Sequence, residues 1–278
     1  MIYNVKTISY LDSLQVRIYE KPVQTKKKDI SSIKMSKKEI QSRGYVNNPN
    51  HERTDKQIKH SLESSVNRSI NQIYSLARSN KWEYFVTLTI NPNLLDSTDY
   101  ILIVDKLSIW INNLKKRYAK DLQYIVVPEL HKDKEKWHFH ALFSNVGNIP
   151  FTFSGKVCVG KYVYDYVRKP YATKIYNLPL WKYGYSTATE IRDSAKAGSY
   201  ITKYITKDMV NTLKNQHRFV SSQNLNHAKE RVYFLDYEKI LEIMKKNLCH
   251  VDYVKNVKLP DAGQQITYAE FNKGDFYG

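Results

Sequence analysis

The 278 residues carry 44 Lys and Arg against 27 Asp and Glu, a formal net charge of +17, together with 23 tyrosines. Such a balance points to a polyanionic partner, and rings interleaved with lysines suit single-stranded nucleic acid, whose bases stack on aromatics while its phosphates meet cations. Two distant cysteines, Cys158 and Cys249, exclude a disulfide scaffold or a cysteine-rich zinc site, and no apolar run reaches membrane-spanning length, so a cytoplasmic protein with no membrane partner is expected.

Residues 1–20 alternate enough for one or two strands, with Ile2, Val5, Ile8, Leu11, Leu14, Val16 and Ile18 as the apolar set. Residues 21–60 hold eleven Lys/Arg and four Asp/Glu, broken by Gly44 and Asn47-Asn48-Pro49-Asn50; this composition reads as a basic arm or linker. A helical period returns from Asp55 to Ser79. Tyr84 to Ile90 is a strand rich in aromatic and β-branched residues, with Phe85, Thr87 and Thr89 on one face, stopped by Asn91-Pro92-Asn93. Ser97-Thr98-Asp99 can cap a helix over 98–118 whose stripe is Ile103, Val104, Leu107, Trp110, Ile111 and Leu114.

Two strands follow at 122–130 and 136–144. The second contains Trp137-His138-Phe139-His140. Side chains alternate along a strand, so His138 and His140 point one way and Phe139 points into a core. If Asp133-Lys134 is a two-residue turn, Glu129 faces His138 and Val127 faces His140. Glu129, His138 and His140 then form a His₂-carboxylate site with open positions, suited to Mg²⁺ or Mn²⁺. His131, placed by the turn, is a weaker substitute.

Residues 145–183 break the compact alternation with Lys156, Lys161, Tyr162, Tyr164, Tyr166, Arg168, Lys169, Tyr171 and Lys174. A surface β-hairpin and a DNA-contacting insertion both fit; in the second reading Lys156, Lys161, Arg168 and Lys169 meet phosphates. Gly155-Lys156-Val157-Cys158-Val159-Gly160-Lys161 imitates a phosphate loop, but Tyr162 stands where Ser or Thr is required. Without an ATP site, unwinding falls to a separate helicase.

A strand over 184–191 leads into a helix over 194–209, where Tyr200 and Tyr204 lie one turn apart. Lys203 and Lys207 flank the phenols, and Ile201 and Ile205 form a buried stripe. Beyond Arg218 the sequence predicts a polar loop, a helix near 236–247 and an irregular tail. The division is therefore a basic N-terminal arm (1–54), a central domain (55–218) with an insertion at about 145–183, and a C-terminal helix and tail (219–278). The element order lacks βαβ alternation and gives an α+β class: an antiparallel sheet with helices on one face.

Phe85-Val86-Thr87-Leu88-Thr89, His138-Phe139-His140 and Tyr200-Ile201-Thr202-Lys203-Tyr204 occur in an order that resembles the HUH endonucleases, in particular rolling-circle replication initiators of single-stranded DNA phages and plasmids. The resemblance covers about residues 60–210. It implies a ferredoxin-like or RNA-recognition-motif-like palm with the histidines on a central strand, and attack by Tyr200, and in turn Tyr204, on a DNA phosphate. It further implies a 5′-phosphotyrosine, a free 3′-OH that primes a host DNA polymerase, and an origin hairpin or single strand as substrate. Lys203 and Lys207 would ease phenolate formation or hold a flanking phosphate. Two other classes stay open: a non-catalytic nucleic-acid-binding module, and a metal-dependent nuclease using activated water.

Overall fold

The computed structural model describes residues 1–24, 54–131, 135–160, 162–166, 172–206, 217–236, 238–240, 242, 251–259 and 263–272. In chain order the elements begin with β1 (Ile2–Ser9), β2 (Ser13–Gln24), helix α1 (Asp55–Arg78), β3 (Tyr84–Thr89) and helix α2 (Tyr100–Arg117). Then come β4 (Gln123–Leu130), β5 (Trp137–Ser144), β6 (Thr152–Val159), β7 (Tyr162–Asp165), β8 (Thr173–Asn177), β9 (Ser186–Glu190) and helix α3 (Ser194–Ile201). The last are β10 (Val220–Ser221), β11 (Lys229–Tyr233), β12 (Val251–Leu259) and β13 (Gln264–Asn272). Antiparallel sheets with few helices make this an α+β protein. The chain divides into two compact units, Met1–His60 with Lys229–Gly278, and Ser61–Ala228.

The first unit is a five-stranded sheet in the order β11-β1-β2-β13-β12, antiparallel throughout. Val5, Val16, Ile18, Ala269 and Phe271 line a small apolar cavity of about 60 Å³ with Leu235 and Ile240. The strands expected over residues 1–20 are present, yet they pair with β11 and β13, so this stretch is folded structure rather than an arm. The remainder of the expected basic arm, 25–53, lies outside the described residues. The tail expected to be irregular instead forms the β12–β13 hairpin, because β13 finds a partner in β2 some 250 residues earlier. Of the helix expected over 236–247, residues 238–240 and 242 are helical, with Ile240 N–H donating to the Asp236 carbonyl.

The second unit holds an eight-stranded sheet, β10-β4-β5-β3-β9-β8-β6-β7, also antiparallel. Helix α1 starts at a reciprocal cap: Gln57 N–H donates to Thr54 Oγ1, and Thr54 N–H to Gln57 Oε1. Helix α2 starts where Asp99 accepts from Leu102 N–H. Its stripe of Ile103, Leu107, Trp110, Ile111 and Leu114 is buried, and Trp110 lies 6.2 Å from Phe143 on one face of the sheet. Val86, Leu88, Phe139, Ala141 and Phe143 fill that face and are almost wholly inaccessible. Burial of such apolar surface is the main stabilising contribution.

Residues 145–183 form the strands β6, β7 and β8, which extend the sheet beyond β9. The helix expected over 194–209 is shorter: α3 ends at Ile201, a 3-10 turn covers Thr202–Tyr204, and Ile205 is extended. β-Branched residues crowd this stretch (Ile201, Thr202, Ile205, Thr206), and the Thr202 hydroxyl donates to the Ser199 carbonyl, tightening the turn.

Candidate active site

The β4–β5 register sets Glu129 opposite His138 and Val127 opposite His140, as the alternation of the two strands predicts. On the other side β3 sets Thr89 opposite His138 and Thr87 opposite His140. The two histidines therefore project from a strand with partners on both edges, and the almost fully buried Phe139 between them anchors that strand from the opposite face. His138 Nε2 lies 2.5 Å and His140 Nε2 2.7 Å from the same oxygen, Glu129 Oε2. The ligand atoms of all three residues fall within 4.8 Å of one another.

This donor set fits a divalent cation. A single carboxylate oxygen between two imidazole nitrogens is satisfied either by two N–H donors or by one cation. The Glu129 carboxyl is pushed up by burial, but the hydrogen bonds and charges of His138 and His140 outweigh this and hold it at about 2. His140 is shifted downward, chiefly by burial and against the pull of Glu129, so its ring favours the neutral, ligating form. Thr87 Oγ1 lies 3.2 Å from His140 Nδ1 and orients the ring with Nε2 towards Glu129. His131 sits 5.7 Å from His138, ring to ring, outside the trio.

The tyrosines lie over the same face of the sheet. Tyr204 stacks on His140 with ring centroids 3.5 Å apart and planes 16° off parallel. Tyr200 packs edge-on against Phe85 at 4.8 Å and lies 5.8 Å from Tyr204. The loss of helix beyond Ile201 thus leaves the two phenols adjacent. They are not equivalent. Tyr200 is 45% exposed, whereas Tyr204 is half-buried, and its phenol is pushed far above the usual range by burial first, then by its hydrogen bond with Tyr200 and the charges of Tyr200 and Glu129. Lys203 is exposed, with Nζ 5.2 Å from the centre of the Tyr200 ring.

From Tyr200 an open groove of about 450 Å³ runs across β3 and β9, lined among others by Phe85, Thr87, Thr187, Thr189, Arg192 and Lys196. Thr187 pairs with Thr87, which pairs with His140, so this floor continues the histidine row. The sequence puts Phe85, Thr87 and Thr89 on one face but does not single out Thr187, Thr189, Arg192 and Lys196. The alternation of Ser186-Thr187-Ala188-Thr189 could have revealed the threonines; the two cations depend on how α3 packs. Lys156 is exposed and shares the histidine face through Ile175, Thr189 and Phe85. Lys161, Arg168, Lys169 and Lys207 lie outside the described residues.

Fold and site together define a class: an antiparallel α+β sheet presenting a His₂-carboxylate cluster beside two phenols. Residues 83–209 match the model of a replication-associated protein family of the ORF2 type, 127 of the 278 residues and all three motifs. The match supports a role in replication initiation and, with it, interaction with DNA. No curated protein and no solved structure matches the chain. Among the described residues no helix is long and apolar enough to cross a membrane.

Proposed function

We propose that the protein is an HUH-type rolling-circle replication initiator that nicks and rejoins single-stranded DNA through a covalent phosphotyrosine. One observation carries this reading: the stack of Tyr204 on His140 joins the Tyr200/Tyr204 pair to the Glu129/His138/His140 cluster within the matched segment. The nuclease domain is assigned to 55–218, with 145–183 as its DNA-contacting insertion.

Glu129, His138 and His140 would hold Mg²⁺ or Mn²⁺, whose chemistry when bound is to polarise the scissile phosphate and offset charge in the transition state. Tyr200 is the first nucleophile, since its phenol is exposed and borders the groove. Its oxygen attacks phosphorus, its proton leaves to solvent, the P–O3′ bond breaks, and the 3′ oxygen takes up a proton. The product is a 5′-phosphotyrosine and a 3′-OH available to a host polymerase, with unwinding left to a host helicase. The ester conserves the bond energy, so a later 3′-OH can reverse the step without ATP. Lys203 lowers the cost of charge on Tyr200 or neutralises a neighbouring phosphate. Tyr204 is placed to act second, after its stacking on His140 is released.

The test is incubation with end-labelled single-stranded DNA and Mn²⁺ followed by a denaturing gel. A protein-linked label is expected. Cut DNA without a link would favour a nuclease using activated water, and intact DNA a binding module.

A further inference from the structure

The groove beside Tyr200 belongs to the proposed nicking site, but the opposite face of the sheet extension has no part in it. Tyr176 pairs with Ala188 and Ala188 with Val86, on the core-facing side of the sheet; His140, Thr87 and Thr187 face the other way. On the core-facing side a row of rings runs outward along the extension. Phe151 stacks on Tyr84 at 4.2 Å, Tyr84 meets Tyr176 edge-on at 6.2 Å, and Tyr176 meets Phe153 at 6.2 Å. Phe153 in turn meets Tyr166 at 5.5 Å.

The inner end is held rigidly, because the Tyr176 hydroxyl donates to Glu190 Oε1 at 2.8 Å. The outer end is open: Phe153 is 39% exposed, Tyr164 41% and Tyr166 52%. Water-facing rings in a fixed row are costly for a monomer unless something covers them. Lys174, two residues from Tyr176 on the same strand, holds Nζ 5.6 Å from the Phe153 ring centre. The sequence from 151 to 177 carries five Lys/Arg and one Asp. Pre-ordered π-faces beside cations match unpaired bases joined by phosphates, whereas an apolar protein surface would not call for the cations.

We propose that this face of β6–β8 is a second single-stranded DNA surface, which stacks bases on Phe153, Tyr164 and Tyr166 and takes a phosphate on Lys174. It holds a stretch of the strand away from the nick, and so separates capture of the DNA from cleavage. The assignment takes its DNA partner from the replication reading but does not depend on the nicking chemistry.

The probe is fluorescently labelled dT30, titrated with the full chain and followed by anisotropy. The Phe153→Leu/Tyr166→Leu variant, confirmed folded by circular dichroism, should bind about 10-fold or more weakly, since each stacked base contributes substantially. Tyr164→Phe and Tyr166→Phe keep the ring and should bind within about twofold of wild type, while Lys174→Gln should flatten the salt dependence by about 0.7 in log–log slope. Unchanged dT30 affinity in the folded leucine variant, or an equal loss on a blunt duplex, overturns the proposal. Adduct formation on a short oligonucleotide is measured alongside. A leucine variant that loses dT30 binding while the wild type forms no adduct sinks the nicking reading alone; adduct formation with undiminished dT30 binding in the variant sinks this one alone.

Discussion

Glu129→Gln keeps the shape of the side chain and removes the one anionic member of the cluster. In the metal-free protein the carboxyl is held at about 2 against an ordinary 4.5, because the bonds and charges of His138 and His140 outweigh burial. That gap corresponds to about 3 kcal/mol at about 1.4 kcal/mol per pH unit. The carboxyl is 29% exposed, so solvent screening reduces the expected contribution to about 1–2 kcal/mol. The sign follows from a lowered folded-state value: the stabilisation is full above about pH 4.5 and disappears as pH falls towards 2. In EDTA, urea unfolding at pH 7 should therefore show the glutamine variant less stable by about 1–2 kcal/mol, with the difference closing by about pH 2–3. Added Mn²⁺ should raise the melting temperature of the wild type by mass action and leave the variant nearly unmoved. A stability difference that does not change with pH, or equal Mn²⁺ responses, would refute the reasoning.

The His138→Ala/His140→Ala double variant should lose adduct formation while dT30 affinity, read by anisotropy, stays within a few-fold. Phe139→Ala empties a site that is 1% accessible and should cost about 3–5 kcal/mol in denaturant unfolding. Gly184→Ala would set a Cβ 2.2 Å from the Thr89 carbonyl oxygen and 2.6 Å from Asn91 N, both backbone atoms that cannot swing aside. It should lower the melting temperature by several degrees, and Gly155→Ala, where a Cβ meets nothing within 4 Å, should be much milder in the same scan.

What could be read from the sequence was local. The facing of Glu129 and His138 followed from alternation on two strands joined by a short link, and the start of α2 from Asp99 and the apolar period behind it. The β12–β13 hairpin escaped because exposed residues predominate in β12 and its partner strand is held by β2, near the other end of the chain; no short window contains that pairing. The periodicity overextends the tyrosine helix because the apolar repeat continues past Ile201, although the β-branched residues and the Thr202 hydroxyl favour a tight turn. Arg192 and Lys196 escaped for a different reason. They reach the groove only because Gly198 lets α3 close on Ala77 and Arg78, where a Cβ would stand 3.3 Å from each side chain.

The decisive quantity is the identity of the residue that carries DNA after a single-turnover reaction with Mn²⁺, found by protease digestion and mass spectrometry. A nucleotide-linked peptide containing Tyr200 is expected, with Tyr204 as the only alternative acceptor, and none in the Tyr200→Phe/Tyr204→Phe variant. DNA linked to a residue elsewhere in the chain, or a linked peptide from that double variant, would contradict tyrosine-mediated nicking at this site.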